Sequence, residues 1–342
     1  MFINFVIMLL NFNLVLFFSM MLLSILVGVN SNSILYLWVS LEFNMISFIP
    51  LMLFSNKFYN DSFIKYFLIQ SVSSSLMLFI SLNMYMFMIS SGGVMILFIV
   101  LLMKLGMFPF FFWYINLLIN ISWVNCFIVM SVQKILIFYF INNINVKLME
   151  SGVNKYLVCF FVIMSSIYSV MIIYKVNSLK LLLGSSSLNQ MSWLMMILLL
   201  NFKLWVFYFI FYISILMMLF MIMFKFNILN LLDLYMLKSL MKFMIFLLSI
   251  LLISMPPLVM FFMKSFIVYY SVKNMVLFMI YIMIFMNIIF SYYYMKIMMS
   301  SMMLSGGGEF MSIGLIYIKL DLVLFFICSV LMSFLVYWIV MI

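Results

Sequence analysis

Long apolar stretches separated by short polar segments fill almost the whole chain. A helix that crosses the bilayer core needs about 20 predominantly apolar residues. The pattern therefore predicts an all-α polytopic membrane protein with a polar segment, 305–319, between its last two helices. The predicted transmembrane helices number eleven and lie at 5–28, 33–54, 63–88, 94–113, 122–141, 153–174, 180–200, 203–226, 240–269, 274–296 and 320–341.

The composition supports this class of protein. Of the 342 residues, 70% are hydrophobic and only 6% are charged, whereas soluble domains carry about 25% charged residues. Disorder is excluded as well, because it needs low hydrophobicity and high charge. Ala, Arg, Thr and His are absent, while Phe and Met are abundant. This skew favours codons rich in A and T, which is typical of an organelle genome.

Several kinds of site are excluded by the residues that are missing. Without His there is no His-based metal site, no Ser-His-Asp triad and no His-ligated haem. The cysteines Cys126, Cys159 and Cys328 lie far apart in apolar runs and match no metal or redox spacing. We therefore expect no metal ligand. The net charge of +10 comes from scattered lysines rather than a basic run, so we expect no nucleic acid as a ligand either.

The distribution of lysines predicts the orientation of the chain in the membrane. The side that carries more lysine in its loops normally faces inward. The N-terminal side has nine such lysines and the opposite side has four, so we expect the N-terminus inside and the C-terminus outside. The nine are Lys57, Lys65, Lys175, Lys180, Lys225, Lys238, Lys242, Lys296 and Lys319, and the four are Lys147, Lys155, Lys203 and Lys273.

Four ionisable residues lie well inside predicted spans: Glu42, Lys104, Lys134 and Lys264. Each costs roughly 2.5–3.5 kcal/mol when it is placed centrally in a spanning helix. They could be structural, each finding a partner that holds helices together. Ser or Asn would do that at lower cost, and the chain has both. A buried lysine can change its protonation state when a nearby carboxylate moves, which favours a role in proton transport.

The prolines indicate where the predicted helices are broken. Pro109 follows Lys104 and Gly106 in the fourth helix, and Pro256 and Pro257 precede Lys264 in the ninth. Proline removes a backbone donor, and in a membrane the freed carbonyls need another partner. We expect one break within a turn or two of Lys104 and another between Pro256 and Lys264.

The two broken helices are five helices apart and so run in opposite directions. Paired interrupted helices in two inverted halves are typical of transport sites. The predicted organisation is a single membrane domain with one five-helix repeat over 1–141, an inverted repeat over 153–296 and a terminal helix over 320–341.

A polar run in the seventh helix includes Ser186, Ser187, Asn189 and Gln190. These groups would bond to neighbouring helices in a dry environment and would line a water path in a wet one. Lys65 and Gln70 in the third helix are weaker candidates for the same path. Lys65 lies near a helix end, where a lysine can reach the interface.

Six short segments in a fixed order give the chain a resemblance to a known family. They are Trp38–Asn44 with Ser47–Pro50, Lys65–Gln70, Lys104–Gly106 with Pro109–Phe110 and Phe112–Trp113, Gln133–Lys134, Ser186–Asn189, and Pro256–Pro257 with Lys264. Together they resemble subunit 2 of mitochondrial NADH:ubiquinone oxidoreductase, respiratory complex I, in the shortened animal form. That family is related to subunits of cation/proton antiporters.

The resemblance implies roles for individual residues. Glu42 and Lys104 match the family's carboxylate–lysine pair, Lys134 its central lysine and Lys264 the terminal lysine of the channel. Lys180 matches a basic position near a helix start. Many relatives have His where this chain has Phe111 and Gln190, so water or Gln190 must bridge there. Met260 replaces a Gly that often follows the double proline.

The resemblance further implies a proton-translocating subunit without a redox centre of its own. NADH, FMN, iron–sulfur clusters and ubiquinone are then expected in partner subunits, with membrane lipids around the chain. It implies the mitochondrial inner membrane, with the N-terminus in the matrix and the C-terminus in the intermembrane space. The alternatives are a free-standing cation/proton antiporter, which the organelle-type composition disfavours, and a non-pumping structural subunit, which the buried charges disfavour.

Overall fold

A computed structural model describes residues 12–31, 33–55, 61–87, 91–150, 152–174, 178–231, 239–255, 258–273 and 277–303, with 176, 233–234 and 237 in between. The predicted terminal helix 320–341, the start of the first helix and Pro256–Pro257 lie outside these residues. The described helices are α1 (Phe12–Val29), α2 (Ile34–Ser55), α3 (Ser62–Phe87), α4 (Ser91–Leu105), α5 (Phe111–Asn120), α6 (Trp123–Met130), α7 (Val132–Glu150), α8 (Gly152–Ile173), α9 (Leu179–Leu200), α10 (Phe202–Phe226), α11 (Ser239–Ile253), α12 (Val259–Lys273) and α13 (Leu277–Met303).

The all-α membrane architecture is confirmed. Seven of the helical segments are long and apolar enough to cross a membrane, and four shorter apolar helices accompany them. Within the described residues, the only strand-like pairing is an isolated bridge between Ser178 and Asn230. The four shorter helices are the halves of the two broken helices that the prolines predicted: α4 with α5, and α11 with α12.

The first break is made by a glycine that ends α4. Gly106 adopts a left-handed backbone with φ of 69°. Its N–H donates to the Met103 carbonyl, and the Met107 N–H donates to the Leu102 carbonyl. This pair of bonds is the Schellman motif, in which a left-handed residue caps the last carbonyls of a helix. Pro109 lies in the linker before α5 and keeps the chain from resuming the helix at once.

The second break has a related geometry at the end of α11. Ser254, directly after Ile253, has φ of 65°, and its N–H donates to the Leu251 carbonyl. The helix resumes at Val259. The interruption therefore begins before the double proline and ends before Lys264, earlier than the predicted interval. Residues that precede proline are driven out of the α conformation, which explains the early start.

A third break was not predicted and corrects the expected helix 122–141. Ser131 separates α6 from α7 with φ of −120° and ψ of −78°. Its hydroxyl donates to the Phe127 carbonyl one turn earlier, a bond that often bends helices. Beyond it, α7 continues to Glu150, so the helical segment is also longer than expected. Lys134 consequently lies in the first turn of a new helix rather than in the middle of a long one.

The helix α9 is the most enclosed element of the fold. Every residue from 182 to 198 is buried, including the polar run that begins at Ser185. A helix that is buried all round cannot turn its polar side to solvent. Hydroxyls of Ser185, Ser186 and Ser187 therefore donate to carbonyls three residues earlier in the same helix.

The chain divides into two compact units, one up to Ser165 and one from Ser166 onward. In the first unit, α2 packs on α1 and α3, and α4 packs on α3 and α7. In the second, α9 packs on α10 and α12, and α13 packs on α11 and α12. The first unit thus has breaks close to the buried Lys104 and Lys134, and the second has a break ahead of the buried Lys264. The limits of the two predicted repeats stay predictions.

Candidate functional site

Two of the predicted lysines line one small cavity in the first unit. The cavity has a volume of about 20 Å³. A buried space needs roughly 10–15 Å³ to hold one water molecule, so this one has room for one. Its walls are Tyr66, Gln70, Lys104, Leu105, Trp113, Tyr114, Val129, Gln133, Lys134 and Ile137. The structure therefore places Lys104, Lys134 and Gln70 on the walls of one cavity.

Lys104 reaches the cavity from the last turn of α4, immediately before the glycine cap. Its side chain is 5% exposed. Glu42 on α2 acts on it electrostatically. No direct ion pair joins these two side chains within the described part of the chain. A water-bridged pairing of Glu42 with Lys104 stays a prediction.

Lys134 enters the same cavity from α7, just after the bend at Ser131. Its side chain is 2% exposed. The amino group donates a hydrogen bond of 3.0 Å to the Tyr114 hydroxyl and lies 4.8 Å from the centre of that ring. Tyr114 belongs to α5, so this contact joins the helix after the first break to the helix after the third.

Neutral polar side chains complete the wall and hold the broken backbone. The Gln70 amide donates 3.3 Å to the Lys104 carbonyl, and the Trp113 indole donates 3.0 Å to the Met103 carbonyl. Both carbonyls belong to the last turn of α4, where helix bonds are missing. The Tyr66 hydroxyl donates 3.1 Å to the Gln133 side-chain oxygen. The groups that fix the break are thus also the walls of the cavity.

Lys264 forms a separate centre in the second unit. It lies on α12, is 6% exposed, and donates 2.9 Å to the side-chain oxygen of Asn287 on α13. Its amino group is 4.9 Å from the centre of the Trp193 ring on α9. Within the described part of the chain, neither Lys134 nor Lys264 has a carboxylate at ion-pair distance. Both lysines are held instead by an aromatic ring and one neutral oxygen.

The polar run on α9 meets this second centre at Asn189 and Gln190. Asn189 donates 3.1 Å to the same Asn287 oxygen that receives Lys264. Gln190 donates to the Leu252 carbonyl, which belongs to the last turn of α11, and accepts from the Tyr208 hydroxyl. Gln190 therefore supports the second break, whereas Asn189 contacts the lysine centre through Asn287. Ser186 and Ser187 bond within their own helix.

Some predicted features are placed elsewhere. Lys65, the weaker candidate for the path, is exposed near the start of α3 and does not line the described cavity. Lys242, which was counted among the loop lysines, is instead 4% exposed in the first turn of α11. Phe111 is buried in the first turn of α5. Within the described part of the chain, no group of three or more acidic, Cys or His residues could hold a metal ion.

Tyr114 and Asn287, the acceptors of the two lysines, were not predicted from the sequence. Both lie on helices next to the lysine helices, so only tertiary packing identifies them. The available signal was weak: Tyr114 directly follows the Phe112–Trp113 segment, and Asn287 is an isolated amide within an apolar helix. Tyr114 could not be selected because the chain contains 20 tyrosines.

The chain is similar to known proteins over most of its length. The family model of the transmembrane region of NADH:quinone oxidoreductase and Mrp antiporters matches residues 31–291. NADH-ubiquinone oxidoreductase chain 2 of Anopheles gambiae is 31% identical over 306 residues, covering 84% of this chain and 86% of that protein. The protein of the same name from Aedes aegypti is 30% identical, covering 84% of this chain and 86% of that protein.

Solved structures share the fold at lower identity. A chain of respiratory complex I from Thermus thermophilus superposes with a TM-score of 0.81 at 15% identity, covering 94% of this chain and 78% of that one. A chain of the archaeal membrane-bound sulfane sulfur reductase superposes with a TM-score of 0.78 at 15% identity, covering 92% of this chain and 72% of that one. At such identities the likeness concerns the fold.

Proposed function

Because the chain belongs to the family of NADH-ubiquinone oxidoreductase chain 2, within the NADH:quinone oxidoreductase/Mrp antiporter membrane subunits, we propose that its buried lysines move protons across the membrane. The chain is an antiporter-like membrane subunit of respiratory complex I. Electrons would pass through partner subunits that hold NADH, FMN, iron–sulfur clusters and ubiquinone. This chain would convert their reaction into a shift of buried charge.

The observation that carries the proposal is the cavity that Lys104 and Lys134 share. Its volume of about 20 Å³ admits one water molecule. A water there would lie beside Lys104 and Lys134, with Gln70, Gln133 and Tyr114 on other walls. One N–H bond would break at the donating lysine as an O–H bond of the water forms, and the water would release another proton to the second amine. The two lysines would thus exchange a proton without any acidic group between them.

Glu42 supplies the charge that could drive this exchange. It interacts electrostatically with Lys104, whereas the amino group of Lys134 contacts the Tyr114 hydroxyl and ring. A movement of Glu42 would therefore change the proton affinity of one lysine and leave the other almost unaffected. Such a difference moves the shared proton from one amine to the other. The resemblance assigns the later part of the path to Lys264, and a common depth for all four charges stays a prediction.

The composition and the relatives favour the inner mitochondrial membrane as the location. The helices make the chain a multi-pass protein. The excess of lysine on the N-terminal side supports a location of that terminus in the matrix. Migration in a large assembly on a native gel, rather than as a single chain, would distinguish a complex I subunit from a free-standing antiporter.

Replacement of each cavity lysine by methionine tests the proton path. Met keeps the length of the side chain and removes the charge, so the complex should assemble. We expect Lys104→Met and Lys134→Met to lower proton pumping per NADH oxidised in sealed membrane vesicles. Lys203→Met, at the exposed start of α10, is the matched control and should pump normally. Normal pumping by both cavity variants would make the lysines structural.

A further inference from the structure

Asn287 occupies a junction in the second unit that the sequence did not single out. Its side-chain oxygen receives two hydrogen bonds, 2.9 Å from the Lys264 amino group and 3.1 Å from the Asn189 amide. The three residues belong to α12, α9 and α13. One amide oxygen thus ties the helix after the second break to the enclosed polar helix α9.

The orientation of this amide is determined by its neighbours. A lysine ammonium has three donors and no acceptor. The Asn287 oxygen, rather than its NH₂ group, must therefore face Lys264, and the same oxygen then suits the NH₂ group of Asn189. With its NH₂ group turned toward the lysine, Asn287 would place donors against donors on both sides.

No other polar contact of the Lys264 amino group competes with this bond within the described part of the chain. The amino group otherwise lies over the apolar face of Trp193 at 4.9 Å. A ring face attracts a cation but fixes its direction less than a hydrogen bond does. The direction in which Lys264 presents its proton therefore depends on Asn287.

The side chain of Asn189 indicates where this junction leads. Its own oxygen is buried, and no donor reaches it within the described part of the chain. The residue is 2% exposed. An unpaired buried acceptor costs free energy unless a water or a protonated group reaches it. The chain of contacts from Lys264 through Asn287 to Asn189 thus ends at an acceptor that is open to a donor.

We propose that Asn287 is a positioning residue for proton transfer at Lys264, holding the amino group beside the face of Trp193 and on the oxygen that also receives the amide of Asn189. This role rests on the proposed function, because it has meaning only if Lys264 carries protons. Asn287 itself neither gains nor loses a proton. Its contribution is to keep the donor of Lys264 on the oxygen that also bonds Asn189 of α9.

Asn287→Leu and Asn287→Gln test the acceptor rather than the packing. Leu has nearly the shape of Asn and no acceptor. Gln keeps the amide, and the half-buried position accepts one more methylene. A hydrogen bond from a charged donor corresponds to roughly a tenfold preference for the oriented lysine, so Asn287→Leu should reduce pumping per NADH severalfold in the assembled complex. Asn287→Gln should restore at least half of the lost pumping.

Two controls separate the possible outcomes. Ser291→Ala, one turn along α13, removes a hydroxyl that bonds the Ile288 carbonyl of its own helix, and should pump normally. Lys264→Met tests the function itself. If Lys264→Met lowers pumping while Asn287→Leu does not, the positioning role is wrong and the proposed function stands. If Lys264→Met pumps normally, the function fails at this lysine. Equal losses for the Leu and Gln variants would also overturn the role, because packing would then explain them.

Discussion

Replacing Gly106 by alanine should disrupt the cavity without changing any of its polar groups. Gly106 has φ of 69°, a conformation that costs an L-residue with a side chain roughly 1–2 kcal/mol. An added Cβ would also lie 2.5 Å from the Cβ and 3.0 Å from the Cγ of Tyr114. Tyr114 is held by the start of α5, so relief requires a movement of backbone rather than of a flexible side-chain end.

The two effects add to a substantial loss of stability. Forcing an extra carbon into a packed core costs about 1–3 kcal/mol. Together with the backbone cost, Gly106→Ala should destabilise the chain by about 2–5 kcal/mol. Any relaxation that pushes Tyr114 away also moves the acceptor of Lys134, so pumping should fall along with stability.

The chain offers a matched control at Gly152. This residue is exposed at the first position of α8, and an added Cβ there meets no atom within 4 Å. Gly152→Ala should therefore assemble and melt like the parent protein. The assay is the amount of assembled complex on a native gel and its thermal dissociation midpoint in mild detergent. If Gly106→Ala and Gly152→Ala behave alike in both measurements, the glycine cap is not the constraint that the geometry implies.

Two further substitutions test individual hydrogen bonds. Tyr114→Phe keeps the ring over Lys134 but removes the hydroxyl, so pumping should fall. The thermal midpoint should drop by the equivalent of about 1.5–3 kcal/mol, the contribution of a hydrogen bond from a charged donor. Unchanged pumping would show that the hydroxyl does not direct this lysine. Gln190→Leu leaves the Leu252 carbonyl and the Tyr208 hydroxyl without their present partner, which costs about 1–3 kcal/mol for each group. The thermal midpoint should therefore fall well below that of the control Ser71→Ala, which removes an α3 hydroxyl bonded within its own helix. Equal midpoints would contradict the role of Gln190 at the second break.

The parts of the fold that follow from local chemistry were predictable from the sequence. Long apolar runs predicted the spanning helices, and Pro109 predicted a break within a turn or two of Lys104. The structure ends α4 at Gly106, where glycine adopts a left-handed backbone. The prolines located the second break to within a few residues. The bend at Ser131 was not predicted, because a serine within a helix is compatible with both a straight and a bent backbone.

The polar partners in the site were harder to predict. The buried position of Lys104, Lys134 and Lys264 followed from their place within apolar spans. Their acceptors did not, since Tyr114 and Asn287 are distant in sequence and lie on other helices. The bridging role expected of Gln190 stays a prediction, and its bond to the carbonyl of Leu252 was not foreseen. Packing of separate helices decides such contacts, and a single sequence does not encode them in any local pattern.

The most direct test of the central claim is a map of the assembled complex at a resolution that reveals ordered water. The claim is that Lys104 and Lys134 exchange a proton through one molecule in the cavity of about 20 Å³ that both line. The map should contain one water peak within hydrogen-bonding distance, about 2.7–3.2 Å, of both amino groups. A cavity closed by apolar side chains, with no water between the two lysines, would contradict the claim.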